Sequence, residues 1–226
     1  LFLKKKFDAA FVPGREGKKL LKFLGANKNA IYTGNYGAYE NIYFETKPIG
    51  DRNDEFLFVG QLINRKGVDV MLNAFKQYKD AGGTWGLRIL GDGQLKDECV
   101  GEGIICEGFS QPTEVSKKMN NAKVLVLVSR DEHWGTVVCE AAACGMSLIT
   151  TSNVGASADI VLDSLNGIEL SKLSVDNLKK AFFYYEKIDK KLLDNASEVS
   201  KGIAKGYDST AYLTSFNKMA LDLFES

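Results

Sequence analysis

Short apolar runs alternate with amphipathic stretches along most of this chain. The runs at residues 56–59 and 124–128 are apolar at every position, which is typical of strands that helices cover on both faces. At residues 68–79, apolar side chains recur at steps of three and four, the spacing of a helix with one buried face. Seven strands are predicted on this basis, at residues 8–12, 30–33, 55–59, 87–90, 103–106, 123–128 and 147–150.

The amphipathic stretches predict helices at residues 18–24, 68–79, 112–120, 136–144 and 175–187. Strands and helices that alternate through short turns form parallel sheets with helices on both faces. The predicted fold class is therefore α/β, with a Rossmann-like parallel sheet and a helical C-terminal tail. Residues 175–226 are helical in pattern without a further strand. The apolar stripe of residues 210–224 predicts a terminal helix that packs against another surface.

Composition narrows the classes of partner. Lys plus Arg and Asp plus Glu each number 29, so no net charge draws the chain to nucleic acid. No apolar run approaches the roughly 18 residues that a membrane-spanning helix needs. Three consecutive lysines, residues 4–6, leave two interpretations open. A solvated face is the commoner case, and peripheral association with a membrane is the alternative.

Cysteine usage predicts the compartment. Cys139 and Cys144 lie in an apolar, alanine-rich stretch, which favours buried, reduced thiols and a cytoplasmic protein. A peripheral position on the inner face of the membrane is the alternative location. The four cysteines form no C-x-x-C pair and there is one histidine, so no metal site is predicted. Because the chain starts at Leu1 with no signal peptide, we expect a fragment of a longer chain.

A basic turn, residues 60–67, joins a predicted strand to a predicted helix. Glycine lets backbone approach a ligand, and the start of the following helix favours an anion. Lys66 adds a mobile positive charge suited to a diphosphate. A plain strand–helix turn with surface basic residues explains this sequence equally well. Gly91 and Gly93, at the end of the next strand, favour a tight turn that borders the same cleft.

The most informative stretch is residues 129–145, where a buried strand, a polar loop and an apolar helix follow one another. Backbone amide groups at the start of this helix, near Gly135, can face a phosphate. Glu132 in the loop can reach a ligand hydroxyl, and Glu140 in the helix can accept hydrogen bonds from a ribose diol.

Two glutamates eight residues apart are expected by chance, so this spacing alone does not indicate a site. Where the two residues lie in the predicted structure decides whether they form one. Glu140 lies in a helix too apolar for a surface position, and its carboxylate therefore needs a partner. His133 and Trp134 are interpreted as hydrogen-bonding or packing residues rather than catalytic ones. Small residues at 152–159 end the next strand beside the same cleft. Loops from successive strand ends that converge on one edge form the ligand sites of open α/β sheets.

In this order the motifs resemble those of family 4 glycosyltransferases, the retaining enzymes of group 1 with a GT-B fold. That family carries G-R-L-x-x-x-K-G, G-D-G, F-x-G-F, and E-x-F-G-x-x-x-x-E followed by A-x-x-x-G. The matches here lie at residues 60–67, 91–93, 106–109 and 132–145. The resemblance implies three parts. Residues 1–48 would end an N-terminal domain and cross over, 49–208 would form the Rossmann-like donor-binding domain, and 209–226 would pack back toward the N-terminal domain.

The resemblance implies transfer of a hexose from a UDP- or GDP-linked sugar to a glycan or lipid-linked acceptor in polysaccharide biosynthesis. Transfer would retain the configuration and need no cofactor and no metal. Lys66 and Glu132 would be catalytic, with Lys66 on the diphosphate and Glu132 on the transferred sugar, while Glu140 would hold the ribose. The implied donor-binding residues are Gly60, Gln61, Lys66, Gly91, Gly108, Phe109, Glu132, Gly135, Thr136, Val137 and Glu140. The missing N-terminal domain would supply the acceptor site, so the fragment is expected to be inactive alone.

Gln61 stands where the family has an arginine. This departure removes one positive charge from the implied phosphate site. It keeps open a second interpretation, a non-catalytic nucleotide-sugar-binding domain. A third, a nucleotide-sugar epimerase on the same GT-B scaffold, is less favoured because those enzymes lack the Glu132-to-Glu140 arrangement.

Overall fold

The protein is described here by a computed structural model that covers residues 7–34, 37–44 and 46–225. The lysine cluster of residues 4–6 lies outside these described residues. A small two-stranded parallel sheet pairs β1 (Ala10–Val12) with β2 (Ile31–Thr33). A larger sheet contains β3 (Glu55–Val59), β4 (Gly86–Leu90), β5 (Ile104–Gly108), β6 (Val124–Leu127), β7 (Ser147–Thr151) and β8 (Gly167–Leu170).

Helices connect these strands and cover the larger sheet. They are α1 (Gly14–Phe23), α2 (Glu40–Tyr43), α3 (Val68–Asp80), α4 (Pro112–Met119), α5 (Thr136–Ala143), α6 (Ser157–Ile160), α7 (Val175–Lys187), α8 (Lys190–Ala204) and α9 (Ser209–Phe224). Local chemistry fixes several starts. Pro112 occupies the first turn of α4, and the side chains of Ser174, Asp189 and Asp208 cap α7, α8 and α9 by accepting from backbone N–H groups.

The strands of the larger sheet are all parallel, in the order β5-β4-β3-β6-β7-β8. The predicted α/β class with a Rossmann-like parallel sheet and a helical C-terminal segment is confirmed. The sequence prediction missed β8, a four-residue strand at the edge of the sheet, and the short helices α2 and α6. Predicted and observed strands otherwise agree to within two residues at each end.

The core lies on both faces of the larger sheet, as the apolar pattern predicts. All four residues of β6 are fully buried. Phe56 on β3 packs against Phe182 on α7, with ring centroids 4.6 Å apart, and against Tyr78 on α3 at 6.0 Å. Burial of such an aromatic ring contributes about 2–3 kcal/mol. These contacts hold α3 and α7 on one face of the sheet.

The strand order places a switch point between β3 and β6. The chain builds outward from β3 to β4 and β5, then returns to the other side of β3 for β6, β7 and β8. Loops that leave the carboxyl ends of β3 and β6 therefore diverge and open a crevice, where open α/β sheets bind ligands. Residues 60–67 and 128–135 are those two loops.

The terminal helix α9 packs on the small sheet. The ring of Phe11 meets the rings of Tyr212 and Phe216 edge-on, at 5.3 and 5.6 Å, and the Tyr32 hydroxyl donates to Asp222 at 2.7 Å. The division into parts at residues 48 and 208 stays a prediction. In the described part of the chain, no helix has both the length and the apolarity that a membrane crossing requires.

Candidate functional site

Two side chains predicted to be catalytic meet in the crevice. The Lys66 ammonium group pairs with the Glu132 carboxylate, and their side chains are only 14% and 13% exposed. Lys66 comes from the loop after β3, and Glu132 comes from the loop after β6. The topology of the sheet therefore brings together two residues that are far apart in the sequence, with their charges largely removed from water.

The loop that carries Lys66 is fastened to the loop that carries Glu132. The backbone N–H of Arg130 donates to the carbonyl of Arg65 at 2.8 Å, and the Arg65 guanidinium donates to the Asp131 carbonyl at 2.8 Å. Arg130 also forms two bonds of 2.7 Å with the carboxylate of Asp69, in the first turn of α3. Bidentate pairs of this kind fix geometry as well as charge. Arg65 thus ties the loop after β3 to the loop after β6.

The Glu132 loop is also joined to the loop after β7. The N–H of Glu132 donates to the Asn153 carbonyl at 3.0 Å, and the Glu132 carbonyl accepts from Gly155 at 2.9 Å. The Trp134 carbonyl accepts from Ala156 at 2.7 Å. These bonds form a short parallel ladder that holds the backbone on both sides of Glu132. Small residues after β7, noted in the sequence, are what permits this close approach.

Helix α5 begins beside Glu132 with its first amides uncapped by a side chain. Its N-cap residue is Gly135, in the left-handed conformation at φ 87°. A Cβ there would lie 3.1 Å from Val154 and 3.2 Å from Glu132, so both conformation and space favour glycine. The amides of Thr136 and Val137 follow in the first turn, and no acidic residue lies in that turn. A helix start of this kind attracts anions.

Glu140 lies on α5 and is partly buried. Tyr43, on α2, lies close enough for its hydroxyl to interact electrostatically with the Glu140 carboxylate. Burial raises the pKa of Glu140, and the nearby Tyr43 hydroxyl opposes that rise because it favours the charged form. Burial, followed by the charge of Glu140, raises the pKa of the Tyr43 hydroxyl. The sequence predicted that this carboxylate needs a partner but did not identify Tyr43.

A cavity of about 420 Å³ opens at the carboxyl ends of β3, β4 and β5. Its lining residues include four of the predicted donor-binding residues, Gly60, Gln61, Gly91 and Phe109. The Phe109 side chain is 73% exposed, so an apolar ring borders the opening. Gly108, at the end of β5, accepts from the N–H of Gly91 at 2.7 Å.

Gly91 serves the packing of this edge. A Cβ at this position would lie 1.8 Å from the carbonyl oxygen of Gly60, which no larger residue could tolerate. The turn formed by residues 91–93 therefore borders the cavity and shapes its floor, in agreement with the structural interpretation of these glycines.

A second cavity, of about 440 Å³, lies beside the start of α5. It is lined by Gly37, Ala38, Tyr39, Thr136, Asp208, Ser209 and Tyr212. The segment before α2 and the start of α9 pass side by side here, since Ala38 and Asp208 form a parallel bridge. Thr136 is the one predicted donor-binding residue in this lining.

The predicted residues thus lie along one edge of the sheet but in separate groups. Lys66 pairs with Glu132, four residues line the cavity of 420 Å³, and Glu140 faces α2. His133 is exposed, and Trp134 is buried with its ring 6.3 Å from that of Tyr207. Among residues 7–34, 37–44 and 46–225, no group of three or more His, Cys, Asp or Glu side chains is arranged to hold a metal ion.

Sequence comparison finds a family and several relatives. The family described as "Glycosyl transferases group 1" matches residues 40–201. An uncharacterized glycosyltransferase of Methanocaldococcus jannaschii is 31% identical over 157 residues, which are 64% of this chain and 42% of that protein. A lipopolysaccharide 1,6-galactosyltransferase of Escherichia coli K12 is 30% identical over 124 residues, 50% of this chain and 34% of that protein. This chain therefore spans less than half the length of these relatives.

Comparison with solved structures finds the same fold. A sucrose-phosphate synthase of Thermosynechococcus elongatus superposes with a TM-score of 0.81 at 16% identity, over 98% of this chain and 59% of that chain. The HepE protein of Anabaena, solved in complex with UDP and glucose, superposes with a TM-score of 0.76 at 14% identity, over 97% of this chain and 63% of that chain.

Proposed function

Because the chain belongs to group 1 of the glycosyl transferases, we propose that it binds a UDP- or GDP-linked sugar at the carboxyl edge of the larger sheet. The sugar, a hexose, is transferred to a glycan or lipid-linked acceptor with retention of configuration, as in the family 4 enzymes that the motifs resemble. The observation that carries this proposal is the ion pair of Lys66 and Glu132, shielded from water at the switch point of the sheet.

The pair suggests how a donor is received. Diphosphate oxygens carry more negative charge than one carboxylate, so they compete with Glu132 for the Lys66 ammonium group. The amides at the start of α5, beside Glu132, offer the diphosphate a second set of donors. A Glu132 carboxylate released from Lys66 can then accept hydrogen bonds from the hydroxyls of the sugar.

The same groups serve the chemical step. Negative charge develops on the leaving diphosphate as its bond to the sugar breaks, and stabilisation of that charge is the main electrostatic task of the site. Lys66 and the α5 amides are fixed in place beforehand by the bonds between their loops. No cofactor takes part in this proposal.

Different parts of the protein bind the nucleotide and the acceptor. The cavity that Gln61 and Phe109 line is suited to a nucleobase, because it is largely apolar and opens beside an exposed ring. Glu140 is suited to the ribose. The acceptor would be bound by an N-terminal domain, of which the chain up to residue 48 would form the end, so transfer would require that domain.

Thermal unfolding with nucleotides tests the proposal. A ligand at 100 times its Kd stabilises a protein by about 2.7 kcal/mol, which raises the Tm of a chain of this size by roughly 5–10 °C. We expect this shift with UDP or GDP and a smaller one with ATP. Lys66→Met should lose the shift, whereas Lys76→Met, at an exposed position of α3, should keep it. Identical melting curves with and without UDP and GDP would contradict the proposed donor site.

A further inference from the structure

The turn that carries Lys66 lies directly against the chain that leaves β6. Residues 64–66 form one turn of 3₁₀ helix, and Gly67 follows in the left-handed conformation at φ 73°. A Cβ on Gly67 would lie 2.2 Å from the carbonyl oxygen of Val128, a distance at which no side chain fits. The backbone immediately after Lys66 is therefore in contact with the first residue after β6.

A single residue, Arg130, contacts the same turn on both sides of Lys66. Its backbone N–H donates to the Arg65 carbonyl at 2.8 Å, and its guanidinium donates to the Asn64 carbonyl. The guanidinium also donates two bonds of 2.7 Å to the carboxylate of Asp69, in the first turn of α3. Because Asn64 precedes Lys66 and Asp69 follows it, the Arg130 side chain bridges the segment that contains the lysine.

The shape of the guanidinium group suits this bridge. Its five N–H donors lie in one plane with fixed directions, and here they meet a backbone carbonyl and both oxygens of one carboxylate. A lysine at this position would carry the same charge on a single rotating ammonium group, which cannot hold these acceptors in a fixed arrangement. The contribution of Arg130 is therefore one of geometry more than of charge.

The position of this ion pair indicates what it does. The side chains of Arg130 and Asp69 are 41% and 36% exposed, and an ion pair with such access to water contributes little to the free energy of unfolding. Lys66, which they flank, is only 14% exposed and pairs with Glu132 in the crevice. A charged group that binds a ligand depends on the residues that support it, because small displacements reduce its affinity. Loss of the Arg130 bridge should therefore affect ligand binding more than stability.

We propose that Arg130 is a positioning residue of the donor site, whose guanidinium holds the turn of residues 64–66 so that the Lys66 ammonium group meets the diphosphate of the donor. This inference rests on the proposed function, since it assigns the diphosphate to Lys66. Arg130 and Asp69 both lie outside the residues that match the motifs of the glycosyltransferase family, so the resemblance assigned them no role.

Direct binding of the diphosphate by Arg130 is the alternative. The guanidinium is already engaged with the Asn64 carbonyl and the Asp69 carboxylate, and the charge of that carboxylate offsets its own. The hydrogen bonds from Arg130 lower the pKa of the Asp69 carboxyl, so this partner stays charged at neutral pH. These contacts favour action through Lys66. The two roles predict opposite effects when Asp69 is removed: a positioning residue loses its anchor, whereas a direct ligand of the diphosphate is released to bind it.

The test compares Arg130→Lys with a matched control, Arg88→Lys. The Arg88 guanidinium, on β4, pairs with Glu55 at 2.9 Å and with Glu107, and the Arg88 side chain is 16% exposed. Glu55 begins β3, at the end of that strand remote from the crevice. Both variants, Asp69→Ala and the wild type are titrated by calorimetry with UDP and GDP. Binding of uridine and guanosine, which lack the diphosphate, is measured by NMR titration, and thermal unfolding gives each Tm.

We expect Arg130→Lys to weaken binding of the nucleoside diphosphate that the wild type prefers by about threefold to tenfold, with little change in Tm. Affinity for the matching nucleoside should be unchanged, because it offers no phosphate to Lys66. Arg88→Lys should show the reverse, a lower Tm and an unchanged affinity for the diphosphate. Asp69→Ala should weaken the diphosphate as Arg130→Lys does. If Arg130→Lys does not fold, Asp69→Ala carries the test with the same two ligands.

Three results would overturn the inference. One is an unchanged affinity of the folded variant for UDP and GDP. Another is an equal loss for diphosphate and nucleoside, which would show a merely structural role. The third is tighter binding of the diphosphate by Asp69→Ala, which would show that Arg130 binds it directly. Failure of the proposed function looks different: the wild type itself then binds neither UDP nor GDP, and this inference falls with it.

Discussion

Glu140 lies in a helix of otherwise apolar residues and carries a charge that burial opposes. Four of its neighbours on α5, Val138, Cys139, Ala141 and Ala142, are fully buried. A carboxylate is kept at such a position only at a cost in stability, which the nearby Tyr43 hydroxyl reduces but does not cancel, since the pKa of Glu140 remains raised. A buried charge that weakens the fold is typical of a residue retained for binding.

The effect of Glu140 on stability has a definite sign. Its ordinary pKa of 4.5 is raised in the folded protein, so above pH 4.5 the folded state binds more protons than the unfolded state. The contribution of Glu140 to the free energy of unfolding therefore falls as the pH rises from 4.5 to the pKa of Glu140 in the folded protein. We expect Glu140→Gln to be more stable than the wild type at pH 7.5, with the difference shrinking toward pH 4.5.

Melting curves of both proteins across this range measure the effect. Each kcal/mol by which the substitution raises the free energy of unfolding corresponds to a Tm increase of about 2–4 °C for a chain of this length. The difference between variant and wild type isolates Glu140 from the other carboxyl groups, such as Glu107 and Asp69, whose pKa values are lowered by their ion pairs. A difference in Tm that is constant between pH 4.5 and 7.5 would contradict this assignment.

The sequence predicts that the Glu140 carboxylate needs a partner, but it does not identify one. The requirement follows from local pattern, because a charge among apolar helical neighbours must be compensated. Tyr43 comes from a short helix that no periodicity marks, and its contact with α5 depends on how the whole chain folds. Local pattern likewise does not predict that Lys66 pairs with Glu132, although each residue is predicted separately to belong to the site.

Among the elements, α5 and the loops around it form the least ordinary part of the fold. A left-handed glycine starts the helix, and a ladder of three backbone hydrogen bonds connects the Glu132 loop to the loop after β7. The backbone on both sides of Glu132 is therefore set by glycine conformation and loop pairing. Such preorganisation reduces the cost of ordering the site when a donor binds.

Gly135→Ala tests the role of this helix start. An alanine in the left-handed conformation costs about 1–2 kcal/mol, and its Cβ would crowd Glu132 and Val154. We expect a loss of that size in the free energy of unfolding, measured with urea, together with weaker nucleotide-induced stabilisation. Gly202→Ala is the matched control. It lies within α8 with nothing within 4 Å of its Cβ, so it should gain about 0.5–1 kcal/mol. Equal free energies of unfolding for the two variants would contradict the role assigned to Gly135.

Elements with strong apolar patterns were predicted well, and those fixed by distant contacts were not. Strand β8 has only four residues, and Glu169 interrupts its apolar positions, so it shows no apolar run. Helix α1 was predicted to start at residue 18 but begins at Gly14. The amide of Arg15, in its first turn, donates to the Asp159 carboxylate at 2.9 Å, and the Arg15 guanidinium pairs with the same group at 2.8 Å. A side chain from α6 thus sets where α1 begins.

Over the whole molecule, two chain segments run side by side between the small sheet and the larger one. Ala38 pairs with Asp208, and a Cβ on Gly37 would lie 1.1 Å from the Tyr207 carbonyl oxygen. Helix α9 starts at this crossing and continues over β1 and β2. The terminal stripe of apolar residues predicts contact with another surface. Phe11 contacts Tyr212 and Phe216 of this stripe, whereas Leu213 is 56% exposed, and packing of α9 against an N-terminal domain stays a prediction. Which partner these residues contact could not be predicted, because helix amphipathicity does not specify a partner.

Three groups along one edge of the sheet are proposed to bind different parts of the donor. Lys66 and the start of α5 bind the diphosphate, Glu140 binds the ribose, and Glu132 binds the sugar. This assignment is tested most directly by calorimetric titration of the wild type, Glu140→Ala and Glu132→Ala with a nucleoside diphosphate and with the matching nucleotide sugar.

We expect Glu140→Ala to weaken both ligands by about tenfold or more. Glu132→Ala should weaken the nucleotide sugar alone, and it should bind the free diphosphate as tightly as the wild type or more tightly, because Lys66 has lost its competing partner. The same affinity for the nucleotide sugar in all three proteins would contradict the account.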